Sequence, residues 1–399
     1  MNFWKMEELS RIHIELTNSC NAACPMCARF FLNSPIQRPD LELSQITLEQ
    51  FKKFFPPDII KQLTRIQLCG TQGDPGMAKD LYEICEYIYL HKSDKLVVQL
   101  HTNGGMRKPE WWAKFGKLFS YNNVPSPWRV VFSIDGLSDT NHLYRRNVDW
   151  EKLMANAQAF INGGGIAIWE FLIFKHNEHQ VEEAKQLSKN MGFKMFVPKA
   201  ALGVDYGGYL KPLPARNREG DIEYVIEAPT NIEYRNLQNP VGEKPVEFYK
   251  FDIKKAKEEN YDSKVDNAYN IVDTVKNIDQ LDSCSVSCRM KRAEKTLEIF
   301  VDNFGRVLPC CYMGTHLNAR YDDFASLQTI KHMKDYGWDK FDLNQHSLKE
   351  IIEAGHLDRV FADSWEKPSI KDGKMAYCAS LCGQKGMIDR IYAVNKTNE

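Results

Sequence analysis

Three cysteines near the amino terminus, Cys20, Cys24 and Cys27, stand in the run Cys20-Asn21-Ala22-Ala23-Cys24-Pro25-Met26-Cys27. Thiolates this close can hold three irons of a cubane iron–sulfur cluster. No fourth cysteine is near, so one iron stays open to a chelating ligand. Structural zinc takes four ligands, and His13, on an expected strand, is poorly placed to be the fourth. A redox Cys-x-x-Cys at Cys24–Cys27 leaves Cys20 without a role. Zinc and a redox pair are the alternatives to the cluster. A second group, Cys284, Cys288, Cys310, Cys311, Cys378 and Cys382, can hold another cluster or a four-thiolate zinc ion.

The elements that must position these residues follow from hydrophobic period. The predicted strands are Ile12–Leu16, Arg65–Cys69, Leu96–His101, Val130–Ser133, Ala167–Phe174 and Met195–Val197. Between them lie helical signals. Thr47 and Gln50 have capping-box spacing. Leu81, Ile84, Cys85 and Ile88 share one helical face, as do Leu153, Ala157, Phe160 and Ile161, then Val181, Ala184, Leu187 and Met191 ahead of Gly192. Strand–helix units in series imply right-handed crossovers and a parallel sheet, as a barrel or doubly wound. Either form gathers ligands at the carboxyl ends of its strands, where the first cysteine group falls.

The alternation stops near residue 201. Residues 201–280 contain Gly207-Gly208, several prolines and no clear period, and read as an insertion bridging two domains and contacting substrate. A hairpin follows: Leu297, Ile299 and Val301 alternate, Asn303-Phe304-Gly305 turns, and Arg306–Cys310 returns.

On these residues the sequence resembles the radical S-adenosylmethionine (SAM) superfamily. Gln72-Gly73-Asp74-Pro75 looks like that family's Gly-Gly-Glu-Pro, where backbone groups receive the SAM amino group; Asp74 is one methylene shorter than the usual Glu. Asn103, in Thr102-Asn103-Gly104, ends the third strand as in many members. Ser133-Ile134-Asp135-Gly136 resembles a Ser-x-Asp-Gly motif whose Ser contacts SAM, and Arg145 stands where an Arg pairs with the SAM carboxylate. Met26 replaces a frequent aromatic, and its thioether can pack on adenine.

Cys288, the hairpin, Gly305-x4-Cys310 and Cys378-x3-Cys382 resemble the carboxy-terminal extension called SPASM, or its shorter form, twitch. The resemblance implies that Cys288, Cys310, Cys378 and Cys382 hold one auxiliary [4Fe-4S] cluster, with Cys284 and Cys311 spare. It implies an α/β fold: a partial (β/α)6 TIM-type barrel in residues 1–200, the bridging insertion 201–280, and a smaller C-terminal cysteine-rich α+β twitch/SPASM-like domain in 281–399. The cofactors would be a radical SAM [4Fe-4S] cluster, SAM and the auxiliary [4Fe-4S] cluster.

The activity so implied is reductive cleavage of SAM to a 5'-deoxyadenosyl radical that takes hydrogen from a peptide or a small polar, sugar-like substrate, with oxidation, epimerisation or cross-linking. An electron donor such as flavodoxin or ferredoxin would supply the electron. No leader-binding module or cobalamin-binding domain is read in the sequence. The alternative is a non-catalytic iron–sulfur or zinc protein of electron transfer or protein interaction, which has no need of Gln72–Pro75, Ser133 and Arg145 around an open iron. Cys69 and Cys85 read as small buried hydrophobes. Lys175, His176 and Lys199 stand near strand ends where substrate groups would be read, or are solvated charges.

With 52 basic and 53 acidic side chains in 399 residues, the net charge of -1 gives no general attraction to nucleic acid or to an anionic membrane. The longest apolar stretch, 166–174, is broken by Glu170 and too short to span a bilayer. No secretory segment opens the chain, and a cytoplasmic location is expected.

Overall fold

A computed structural model describes residues 3–31, 33–38, 41–120, 127–201, 204–206, 209–236, 242–243, 265–268, 278–293, 296–319 and 324–383. Gly207 and Gly208 lie outside the described residues, as does much else in 201–280.

All six predicted strands form: β1 (Leu9–Ile14), β2 (Arg65–Leu68), β3 (Val97–Thr102), β4 (Arg129–Ser133), β5 (Ile166–Ile173) and β6 (Met195–Ala200). They pair in sequence order and in parallel. The largest boundary shift is in β1, which starts earlier than expected and stops at Ile14, freeing Glu15 and Leu16 for the mouth. The connections carry α1 (Leu48–Phe54), α2 (Pro57–Gln62), α3 (Leu81–His91), α4 (Pro109–Ser120), α5 (Asn141–Tyr144), α6 (Trp150–Asn162) and α7 (Val181–Met191).

Local chemistry explains the helix ends. Thr47 and Gln50 form the reciprocal capping box that their spacing suggests. Helix α7 stops at Gly192, whose φ of 90° lies in the left-handed region that a side chain disfavours.

One face of the sheet is apolar and meets the helices. Ile12, Ile14, Ile66, Leu68, Val98, Leu100, Val130 and Phe132 are buried there, while Gln67, Gln99 and His101 alternate onto the opposite face. Trp112 and Phe115 of α4 and Phe160 of α6 pack by edge and tilt, and Phe132 of β4 closes the cluster.

The expected hairpin is present but belongs to the same sheet. Strand Thr296–Val301 pairs in parallel with β1, and antiparallel with Lys291–Ala293 and Val307–Leu308. Leu297, Ile299 and Val301 are fully buried because they extend the apolar face of β1. Among the described residues the sheet has nine strands and does not close: Lys291–Ala293 forms one edge and β6 the other. The return strand is shorter than the expected Arg306–Cys310. Pro309 lacks the N–H that the ladder needs, and Cys311 already begins the helix Cys311–Ala319. One apolar core runs from Trp4 through the barrel to Met375 and Tyr377. Among the described residues no helix is long and apolar enough to cross a membrane.

Candidate metal centre

The loop after β1 gathers Cys20, Cys24 and Cys27. A turn closed by Cys27 N–H on the Cys24 carbonyl at 2.9 Å holds the last two, and Ala23 N–H on the Arg146 carbonyl ties the loop to the region after β4. Burial pushes all three thiols upward, Cys27 to about 11; the charge of Cys24 adds to the rise at Cys20 and Cys27. Donors surround the sulfurs. Asn103 Nδ2 lies 3.6 Å from Cys20 Sγ, and Arg145 Nη1 lies 3.9 Å from Cys24 Sγ. Arg29, only 4% exposed, acts on Cys27 through its charge, yet its Nε and Nη1 have no acceptor.

Glu15, fully buried just past β1, builds the next loop. Its carboxylate accepts Gln72 N–H at 2.8 Å, Gly73 N–H at 2.9 Å and the Thr71 hydroxyl at 2.6 Å. The loop packs so tightly that a Cβ on Gly73 would lie 1.7 Å from the Thr17 carbonyl oxygen. With both of those N–H groups engaged, carbonyl oxygens are what this turn can offer an ammonium group. Asp74 is engaged as well. Its two oxygens accept Asn103 N–H (2.7 Å), the Thr102 hydroxyl (2.8 Å) and Gly76 N–H (2.9 Å), clamping this loop to the end of β3.

At the end of β4, Ser133 is half-buried and in register with Glu170 of β5. Asp135 is buried and accepts Arg145 Nε and Leu172 N–H, each at 2.6 Å. Burial alone would lower the basicity of Arg145; Asp135 and Cys24 outweigh it and hold the guanidinium charged. Met26 is partly buried against the core. Beside the loop after β4 lies one described portion of the 201–280 segment, a hairpin of Leu213–Arg216 with Ile222–Ile226. Arg146 fastens it, donating to Tyr224 Oη (2.8 Å), the Arg216 carbonyl (2.6 Å) and Glu223 (2.7 Å).

The second group resolves into four and two. Cys378 and Cys382, four apart on the helix Ala376–Cys382, share a face. Ser287 N–H on the Cys382 carbonyl brings Cys288 alongside, and Cys310 ends the hairpin. These four line one small apolar cavity of about 50 Å³ with Met290 and Met313. Burial raises every one of these thiols for which a shift is resolved, Cys288 to about 12. Cys284 is turned elsewhere, its Sγ on the Leu281 and Ala379 carbonyls at 3.1 and 3.6 Å. Cys311 faces Cys69 and Glu298.

Among the described residues no three His, Cys, Asp or Glu converge on a point suited to one metal ion. A mononuclear site at ~2.3 Å per bond needs sulfurs within about 4 Å of each other. A polynuclear cluster takes one thiolate per iron and spreads its ligands more widely. Sulfurs that would be anionic, held among N–H donors and a buried guanidinium with two nitrogens lacking acceptors, fit such a cluster at the first group.

Sequence reasoning missed Glu15, Arg29 and Arg146. An acid near the end of an expected apolar strand and a cation two residues past Cys27 were the available signals. Lys175, one of the residues near a strand end, makes an exposed ion pair with Glu227 at 2.9 Å.

No family model matches the chain, and no curated protein does. Solved structures similar in fold include anSMEcpe with bound AdoMet, 14% identical with a TM-score of 0.46 over 92% of this chain and 88% of that one. The structure of anSMEcpe with AdoMet and Cp18Cys peptide gives 15% and 0.43 over the same shares. Streptococcus suis SuiB bound to S-adenosylmethionine gives 13% and 0.41, over 75% of this chain and 60% of SuiB. Each of these three structures holds bound S-adenosylmethionine.

Proposed function

We propose that this chain is a radical SAM enzyme that takes hydrogen from a peptide or small polar substrate. When bound, a [4Fe-4S] cluster and SAM supply one electron and a 5'-deoxyadenosyl radical. The observation that carries the reading is the first cysteine loop: one buried and two half-buried cysteines at the carboxyl end of a parallel sheet, with amide and guanidinium donors beside them.

The chain's own residues divide the work. Cys20, Cys24 and Cys27 hold three irons. Glu15 and Asp74 fix the turn Gln72–Asp74 so that its carbonyl oxygens meet the SAM ammonium. Asp135 aims Arg145, whose remaining N–H groups meet the SAM carboxylate. Asn103 and Ser133 line the same mouth, and Met26 packs on adenine. Cys288, Cys310, Cys378 and Cys382 hold an auxiliary cluster that accepts or relays an electron. Residues 1–200 and the strand Thr296–Val301 make the catalytic barrel, 201–280 bridges it, and 281–399 houses the auxiliary site. A small electron-transfer protein in the cytoplasm would be the electron donor.

Anaerobic incubation of the reconstituted chain with SAM and dithionite tests this. 5'-Deoxyadenosine is the expected product, and Cys24→Ala abolishes it while auxiliary iron remains. A fully reconstituted chain that forms none, with or without extracts containing candidate substrates, sinks the reading.

A further inference from the structure

Two guanidinium groups stand beside the first cysteine loop, and only one of them is neutralised. Arg145, 3.9 Å from Cys24 Sγ, is paired with Asp135. Arg29, two residues past Cys27, has no such partner. It is 4% exposed, its Nη2 donates to the uncharged Gln37 Oε1 at 3.1 Å, and its buried Nε and Nη1 have no acceptor.

The chain after Cys27 holds Arg29 in place. Phe30 N–H donates to the Cys27 carbonyl at 3.2 Å, Arg38 N–H donates to the Arg29 carbonyl at 2.9 Å, and Phe30 bridges antiparallel to Gln37. The Arg29 N–H donates to the Cys27 sulfur, and its guanidinium charge acts on that same sulfur. A buried cation without a counter-charge is costly, since it has given up water and received little in return. A guanidinium does not shed its proton to escape that cost. A cluster held by three thiolates is anionic, and it would supply the counter-charge that no described side chain provides.

We propose that Arg29 sets the reduction potential of the first cluster, its charge favouring the reduced and more negative form. One electron passes from the reductant to the cluster, with no bond made or broken. Net charge, burial and hydrogen bonds to sulfur are the means by which a protein tunes such a group. Arg29 contributes all three, and its charge acts strongly because little water screens it. The proposal rests on the cluster in the reading above and not on SAM cleavage.

A mediated redox titration of the reconstituted full chain without SAM, followed by electron paramagnetic resonance, tests it. The signal that Cys24→Ala removes is that of the first cluster. Arg29→Gln should lower the equilibrium constant for its reduction about tenfold or more, a downward midpoint shift of about 59 mV. Arg29→Met, whose apolar chain suits the buried position, should do the same and serves where the glutamine variant does not assemble. Arg29→Lys keeps the charge and should stay nearer the unaltered chain. An unchanged midpoint in the neutral variants, or a lysine variant that falls as far as they do, overturns the proposal. So does loss of the first cluster from all three, which would make Arg29 a requirement of assembly. A chain with no cluster at Cys20–Cys27 sinks this proposal and the enzyme reading together. With the cluster present the two part: a shifted midpoint without 5'-deoxyadenosine fails only the enzyme reading, and 5'-deoxyadenosine with unshifted midpoints fails only this one.

Discussion

Arg145 donates from Nε to Asp135 at 2.6 Å, and the Asp135 side chain is 1% exposed. The pair aims the guanidinium past Cys24. Asp135→Ala strands a cation at a buried contact, so it should cost about 3–5 kcal/mol, read by urea unfolding of the cluster-free chain. SAM affinity should fall with it, because the aim is lost. An unchanged denaturation midpoint would refute the first claim, and an unchanged SAM Kd the second.

Glu15 holds three donors of the 71–73 turn. Glu15→Ala leaves buried N–H groups without partners, at about 1–3 kcal/mol each. Glu15→Gln keeps an acceptor oxygen and should be milder. The readout is the ratio of SAM affinities: the alanine variant should bind far more weakly than the glutamine variant. Equal affinities would mean the turn does not depend on this carboxylate.

The four-and-two division of the second cysteine group is open to direct count. Cys378→Ala should lower iron from about eight to about four per chain, the loss of one cubane. Cys284→Ala, whose sulfur sits on carbonyl oxygens, should leave the count unchanged. Iron and sulfide analysis after reconstitution reads both, and full iron in Cys378→Ala would remove that residue from the ligand set.

His13 gives a pH signature. Its Nε2 donates to the Cys69 carbonyl at 2.8 Å, and burial lowers its pKa from 6.5 to about 4. Between those values the unfolded chain takes up a proton that the folded one refuses. Stability is therefore lost as pH falls from 6.5 toward 4, by roughly 3 kcal/mol for this group. His13→Gln should flatten that part of the stability–pH curve, and an identical slope in the variant would exclude His13 as the cause.

Much of this could be read from residue order alone. Alternation in Leu96–His101 and the capping box at Thr47 describe interactions within a few residues, so local spacing announces them. The same holds for the Cys20–Cys27 run. Its chemistry is written in the distance between thiols along a short loop.

What local spacing could not decide was which distant residues share a face. Leu297, Ile299 and Val301 read correctly as a strand, but their partner is β1, nearly three hundred residues earlier. Backbone hydrogen bonding carries no mark of a partner in sequence, so only packing of the apolar face assigns it. Glu15 looked like one more acid until the 71–73 turn folded over it. The family resemblance set Cys284 and Cys311 apart from Cys288 and Cys310, and the fold brings the latter two to one cavity with the two sulfurs of the helix Ala376–Cys382. The residue order settled which chemistry the chain can do, because ligand type and short spacing are local. The tertiary structure settled which side chains are brought together, because burial and opposed faces are made by contacts between remote segments.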